Sequence, residues 1–138
     1  MPKLTTPDRV NLNYTDIGSG RPIVMIHGWP LSGAAFADNA KVLAAAGYRV
    51  ITYDRRGFGQ SGKPRDGYDY DTLAADLDAL LTGLDLHDVV LLGFSMGGGE
   101  VARYLATRGS ERVGAAILSG SICPALCITK DNPDGAMP

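Results

Sequence analysis

Histidine, cysteine and tryptophan are scarce in this chain, and neither sign of charge dominates it. The 138 residues include two histidines (His27 and His87), two cysteines (Cys123 and Cys127), a single tryptophan, Trp29, and three phenylalanines. Thirteen basic side chains against fifteen acidic ones leave a formal net charge of −2. That balance argues against nucleic acid as a partner, and equally against a strongly cationic one. No apolar run approaches the ~20 residues of a membrane-spanning helix. Residues Met1–Thr6 lack the apolar core of a secretory signal. The expected location is cytoplasmic, where two cysteines are expected as free thiols. If their segment is helical, Cys123 and Cys127 share a face, yet no histidine lies near them to complete a metal site. A surface disulfide between two chains is the other reading, and no metal or organic cofactor is expected.

The length suits one domain, residues 1–138, with a single core. No repeat, low-complexity tract or linker divides it. Residues 3–6 and 10–16 alternate apolar and polar side chains, as two antiparallel strands meeting at Pro7-Asp8 would. Ile23–Ile26 is a continuous apolar run, suited to a parallel strand buried on both faces. Phe36, Ala40, Leu43 and Gly47 fall at helical intervals, with Ser32 or Gly33 at the start and Gly47 ending the helix. Residues 49–53 read as another strand. Leu73, Leu77, Leu80, Leu81 and Leu84 then mark the apolar stripe of a helix capped by Asp69 or Asp71. A central strand at 89–94, a helix with Val101, Ala102 and Leu105 toward the sheet, and a last buried strand at 113–118 complete the pattern. Strands alternating with helices predict a three-layer α/β/α sandwich on a mostly parallel sheet of about six strands. Ligands of such sheets bind at the carboxyl ends of the strands.

The segment Gly93-Phe94-Ser95-Met96-Gly97 stands at one of those ends, between an apolar strand and a helix. Gly-x-Ser-x-Gly in that setting is the nucleophile-elbow pattern, a turn that holds a serine hydroxyl above the sheet. Gly93 and Gly97 stand where any side chain would crowd the turn. The Met96 N–H falls at a helix N-terminus, which favours negative charge. His27-Gly28-Trp29-Pro30-Leu31-Ser32 and Asp54-Arg55-Arg56-Gly57-Phe58-Gly59-Gln60-Ser61 form loops at the same edge.

Together, Gly20–Ser32, Tyr53–Ser61 and Gly93–Tyr104 resemble the N-terminal part of an α/β-hydrolase. Within that superfamily the chain is similar to the arylesterase branch, which includes the cofactor-free haloperoxidases and perhydrolases. The resemblance implies that Ser95 is the nucleophile, forming an acyl-enzyme with small aryl or alkyl esters. It also implies an oxyanion hole made by the backbone N–H groups of Trp29 and Met96; Pro30, with no N–H, cannot contribute. His27 and Gly28 would shape that loop, while Asp54, Arg55 and Gly57 would brace its neighbour. Trp29, Phe58 and Phe94 are expected to wall an acyl pocket.

In that family the order along the chain is serine, then acid, then histidine. Both histidines here precede Ser95, so the expected chain is a truncated fold lacking the cap, the last strands and the usual acid and base. His87, before the central strand, is expected at the opposite end of the sheet. His27 is then the single candidate for an improvised base, and only with its side chain turned. The alternatives are half of a split enzyme and a non-catalytic assembly module. An apolar edge strand at 113–118 invites another chain, which predicts a homo-oligomer with 113–128 at the contact.

Overall fold

The computed structural model describes residues 1–122 and 129–134. Cys123 and Cys127, and the 123–128 part of the expected contact segment, lie outside the described residues. Six strands form one sheet in the order β1-β2-β4-β3-β5-β6. They are β1 (Lys3–Thr5), β2 (Asn11–Gly18), β3 (Arg21–Ile26), β4 (Tyr48–Tyr53), β5 (Val89–Phe94) and β6 (Val113–Ser119). The hairpin β1–β2 is antiparallel and joins β4 antiparallel, whereas β4, β3, β5 and β6 run parallel.

The side-chain alternation of β3, β4 and β5 divides the core into two layers. Val24, Ile26, Ile51, Tyr53, Val89 and Leu91 meet helices α2 (Tyr70–Gly83) and α3 (Met96–Arg108). Their neighbours Ile23, Met25, Val50 and Val90 face α1 (Ala37–Ala45) on the other side. Strands buried on both faces read as nearly continuous apolar runs, and these do, with Thr52 in β4 the buried polar exception. Asp69 caps α2, its carboxylate accepting the Thr72 N–H at 3.0 Å. A short 3-10 turn (Gly33–Phe36) leads into α1. Gly47, at φ +97, ends the α1 segment in a conformation that favours glycine.

Two expectations need correction. In α3 Val101 is buried and Leu105 packs half-buried against the same core, as expected, but Ala102 is only half-buried and the buried set also includes Glu100 and Tyr104. Strand β6 was expected to be buried, but every residue after Val113 is exposed, including Ile117 at 48% and Leu118 at 55%. The reason is positional. It is the edge strand of the described sheet, and α3, which covers its neighbour β5, reaches it only slightly, at the Val113 end. No helix among the described residues is long and apolar enough to cross a membrane.

Candidate active site

Strand β5 delivers Ser95 to the carboxyl edge of the sheet, and α3 starts at the next residue. Ser95 has φ 53 and ψ −118, backbone that a side chain rarely tolerates. Three backbone hydrogen bonds fix it. Its N–H donates to the Ser119 carbonyl at 3.1 Å, and its carbonyl accepts from Gly98 at 3.0 Å and Ile122 at 3.2 Å. The flanking glycines are required by contact. A Cβ on Gly97 would lie 2.3 Å from the Ile26 carbonyl oxygen, and one on Gly93 would lie 2.6 Å from the Gly97 carbonyl. Left-handed strain of this kind costs roughly 1–3 kcal/mol. Ser95→Gly is therefore expected to stabilise the fold by about 1 kcal/mol, after allowing for glycine's freer unfolded chain. Urea unfolding checks this, and a loss of stability would contradict it.

The His27–Ser32 loop lies directly against this turn: a Cβ on Gly28 would sit 3.0 Å from the Ser95 Cβ. Among the described residues, neither the Trp29 N–H nor the Met96 N–H donates to another group of the chain. Trp29 is 70% exposed and Phe94 38%, and both border Gly28 or the serine turn. Phe58 instead packs edge-on against His27, ring centres 5.4 Å apart, with the Arg55 guanidinium 6.0 Å from its ring. A cavity of about 500 Å³ lies elsewhere, between α1 and β2, and Ser95 does not line it.

His27 is fully buried, and both ring nitrogens are engaged. Nε2 accepts the Arg55 N–H at 3.0 Å, so the proton is on Nδ1, which donates to the Gly28 carbonyl at 2.8 Å. Burial holds its pKa down at about 4, against an ordinary 6.5; the Arg55 charge lowers it further, while the Gly28 bond works the other way. The expectation of an improvised base is corrected by these contacts. A proton acceptor for Ser95 would need a free nitrogen facing the hydroxyl, and both nitrogens hold the loop backbone. Among the described residues no side chain hydrogen-bonds to Ser95 Oγ. His87 is exposed beside Asp85, before β5 and at the far end of the sheet.

The buried neutral histidine makes stability pH-dependent. An unfolded chain takes up a proton on His27 below about pH 6.5, whereas the folded chain does so only near 4. Its contribution is complete above pH 6.5 and is lost as pH falls toward 4, up to about 3 kcal/mol. Urea unfolding of the natural chain and of His27→Gln across this range isolates the effect. The advantage of the natural chain should shrink with acidification, and a constant difference would contradict the assignment.

Asp54 braces the loops as expected. Its Oδ1 accepts the Gly33 N–H at 2.9 Å, while Oδ2 accepts from Asn13 Nδ2 at 3.1 Å and the Gln60 N–H at 2.8 Å. The sequence reading missed the group behind Arg55. Arg55 Nε donates to Glu100 Oε2 at 2.7 Å, and Nη2 donates to the His27 carbonyl at 2.8 Å. The Tyr53 hydroxyl donates to the other Glu100 oxygen. Burial pushes the Glu100 carboxyl above the usual range, against the pull of Arg55 and Tyr53. Arg56 forms a matching buried fork on Asp76, with two bonds of 2.6 Å. A signal existed: Asp76 and Glu100 are carboxylates on the buried faces of helices, and two adjacent arginines end a buried strand. Buried charges require partners.

A parallel sheet whose inner strand ends in a tight Gly-x-Ser-x-Gly turn, with a glycine-tryptophan loop laid on the serine, defines an α/β-hydrolase core. The chain belongs to that family: the model of the alpha/beta hydrolase fold matches residues 21–137. It is 53% identical to the non-heme chloroperoxidase CPO-A1 of Kitasatospora aureofaciens, an alignment covering 98% of this chain and 49% of that protein. The crystal structure of a bromoperoxidase from Bacillus anthracis superposes with a TM-score of 0.91 at 48% identity, over 99% of this chain and 50% of the other. An esterase from Exiguobacterium antarcticum does so with 0.92 at 40% identity, over 98% and 50%. The chain spans about half the length of the curated relatives it matches.

Proposed function

We propose that Ser95 is the nucleophile of an esterase-type serine hydrolase acting on small acyl esters. The observation that carries this reading is Ser95 itself. It is held at positive φ at the head of α3, with the uncommitted Met96 N–H behind it and the Gly28-Trp29 backbone against it. Ser95 Oγ attacks the ester carbonyl carbon, and the resulting oxyanion accepts hydrogen bonds from the Trp29 and Met96 N–H groups. Collapse breaks the bond to the alcohol, which leaves with a proton, and water then cleaves the acyl-serine ester. One such donor is worth roughly 3 kcal/mol in the transition state. The structural relative named as an esterase supports the substrate class. Since both His27 nitrogens hold the loop backbone, this reading requires a proton acceptor other than His27, which a complementing chain would supply. The buried Glu100–Arg55 pair, which grips the His27 carbonyl, is a positioning device for the loop.

The test is hydrolysis of p-nitrophenyl acetate by the chain alone and by the chain mixed with the C-terminal half of the Kitasatospora chloroperoxidase. The mixture is expected to be much faster. Association of the two without any gain in rate would overturn the proposal.

The exposed strand β6 favours a second, compatible reading, in which this edge docks another chain. Among the described residues its outer backbone groups have no neighbouring strand, and Ile117 and Leu118 are about half exposed. Unpaired apolar edges associate readily. A homo-oligomer through 113–119 is the expected state in solution, and light scattering showing a monomer at micromolar concentration would refute it.

A further inference from the structure

We infer that the cleft between α1 and β2 is a second binding site, separate from Ser95, for a compact neutral apolar molecule carrying one hydrogen-bond acceptor. The cavity holds about 500 Å³, within the range of small-molecule sites. Its walls are largely apolar, formed by Ile17 from β2 and by Ala34, Ala37 and Ala40 from the 3-10 turn and α1. At its base are two hydroxyls, Thr15 Oγ1 and Thr52 Oγ1, 2.6 Å apart. One must donate to the other. The acceptor of that bond keeps its own O–H, and among the described residues neither hydroxyl has another partner. A single free donor in an apolar cleft selects a carbonyl, ether or similar oxygen.

The lining selects the neutral form. Asp54 also lines the cavity, but its two oxygens are taken by Gly33, Asn13 and Gln60. Lys41, at the rim, is held by Asp38 at 3.2 Å. Lys41 and the Met1 terminus are solvent-exposed charges at the border, so it is the apolar lining, which would leave an ion without partners, that favours a neutral ligand. The site lies on the β2 side of the sheet, whereas β6 is the far edge, so occupation of one leaves the other free. Gly33, which the cavity touches, is also the residue that Asp54 ties down after the His27–Ser32 loop.

The test uses the isotope-labelled full chain titrated with acetophenone, which has an apolar ring and one carbonyl and contains no ester. Saturable amide shifts are expected at Thr15, Gly33, Ala37 and Thr52. Ethylbenzene, which lacks the acceptor, is expected to bind about fivefold more weakly, the worth of one net hydrogen bond. Ala37 is exposed, so Ala37→Leu should narrow the cleft and weaken binding while the chain remains folded. The double variant Thr15→Val/Thr52→Val replaces both partners by equal shapes and should erase the preference for acetophenone. Shifts that never saturate, saturable shifts centred on Gly28, Met96 and Gly97, or equal binding of the two probes would each overturn the inference.

Discussion

Replacing Glu100 with alanine is expected to destabilise the fold by about 3–5 kcal/mol, the usual result of removing one partner of a buried ion pair. The size follows from what remains. Arg55 has a side chain 1% exposed, and its Nη1 already lacks a partner among the described residues. Without Glu100 the Nε group is orphaned too, and the Tyr53 hydroxyl loses its acceptor. Water cannot reach any of them without opening the seam between α3 and β4. Because typical domains are stable by only 5–15 kcal/mol, such a loss is a large share of the total. Glu100→Gln keeps the shape and one acceptor, and should be intermediate. Urea unfolding of the three chains gives the answer, and a cost under about 1 kcal/mol for alanine would show that the pair is not desolvated.

Replacing Ser95 with alanine should remove essentially all the rate gained when the chain is complemented, a loss of up to about 10⁶-fold by analogy with triad serines elsewhere. What survives is the contribution of the oxyanion donors and binding, about 10³–10⁴ over water. His27→Ala acts differently. It leaves the nucleophile in place but frees the Arg55 and Gly28 backbone groups that the ring holds. Its activity loss should therefore be smaller than that of Ser95→Ala and should track loss of stability. Equal rates for Ser95→Ala and the natural chain, with p-nitrophenyl acetate as substrate, would remove Ser95 from the chemistry.

Much of this was legible in the residues, for reasons that differ by element. The short runs 23–26, 50–53 and 89–92, rich in β-branched and apolar residues, point to strands buried on both sides, and the leucine stripe of α2 has one amphipathic solution. The tight turn at Ser95 could be anticipated because Gly93 and Gly97 leave no alternative to close backbone contact. Strand β6 could not be read correctly. Ala115, Ile117 and Leu118 look buried by composition, but burial depends on what packs above them, and composition carries no record of that. Glu100 and Asp76 were missed because periodicity weighs a carboxylate as a surface residue, when here each answers an arginine arriving from a distant loop. The α1–β2 cleft depends on where Thr15 and Thr52 meet across two strands, and no local pattern reveals that pairing.

The place of β3 in the sheet bears on how the chain is made. Ile23 pairs with Val50 on one side and with Val90 on the other. During synthesis the first partner follows soon after, but the second has not yet been built. At about 5–20 residues per second, β3 and β4 wait several seconds with one side of β3 unpaired before β5 emerges. Through that interval an apolar ribbon has an open flank, and α2 has only part of the surface it will cover. The flank of β3 thus stays open until β5 becomes available, and the segment that closes it is the one that leads into the serine.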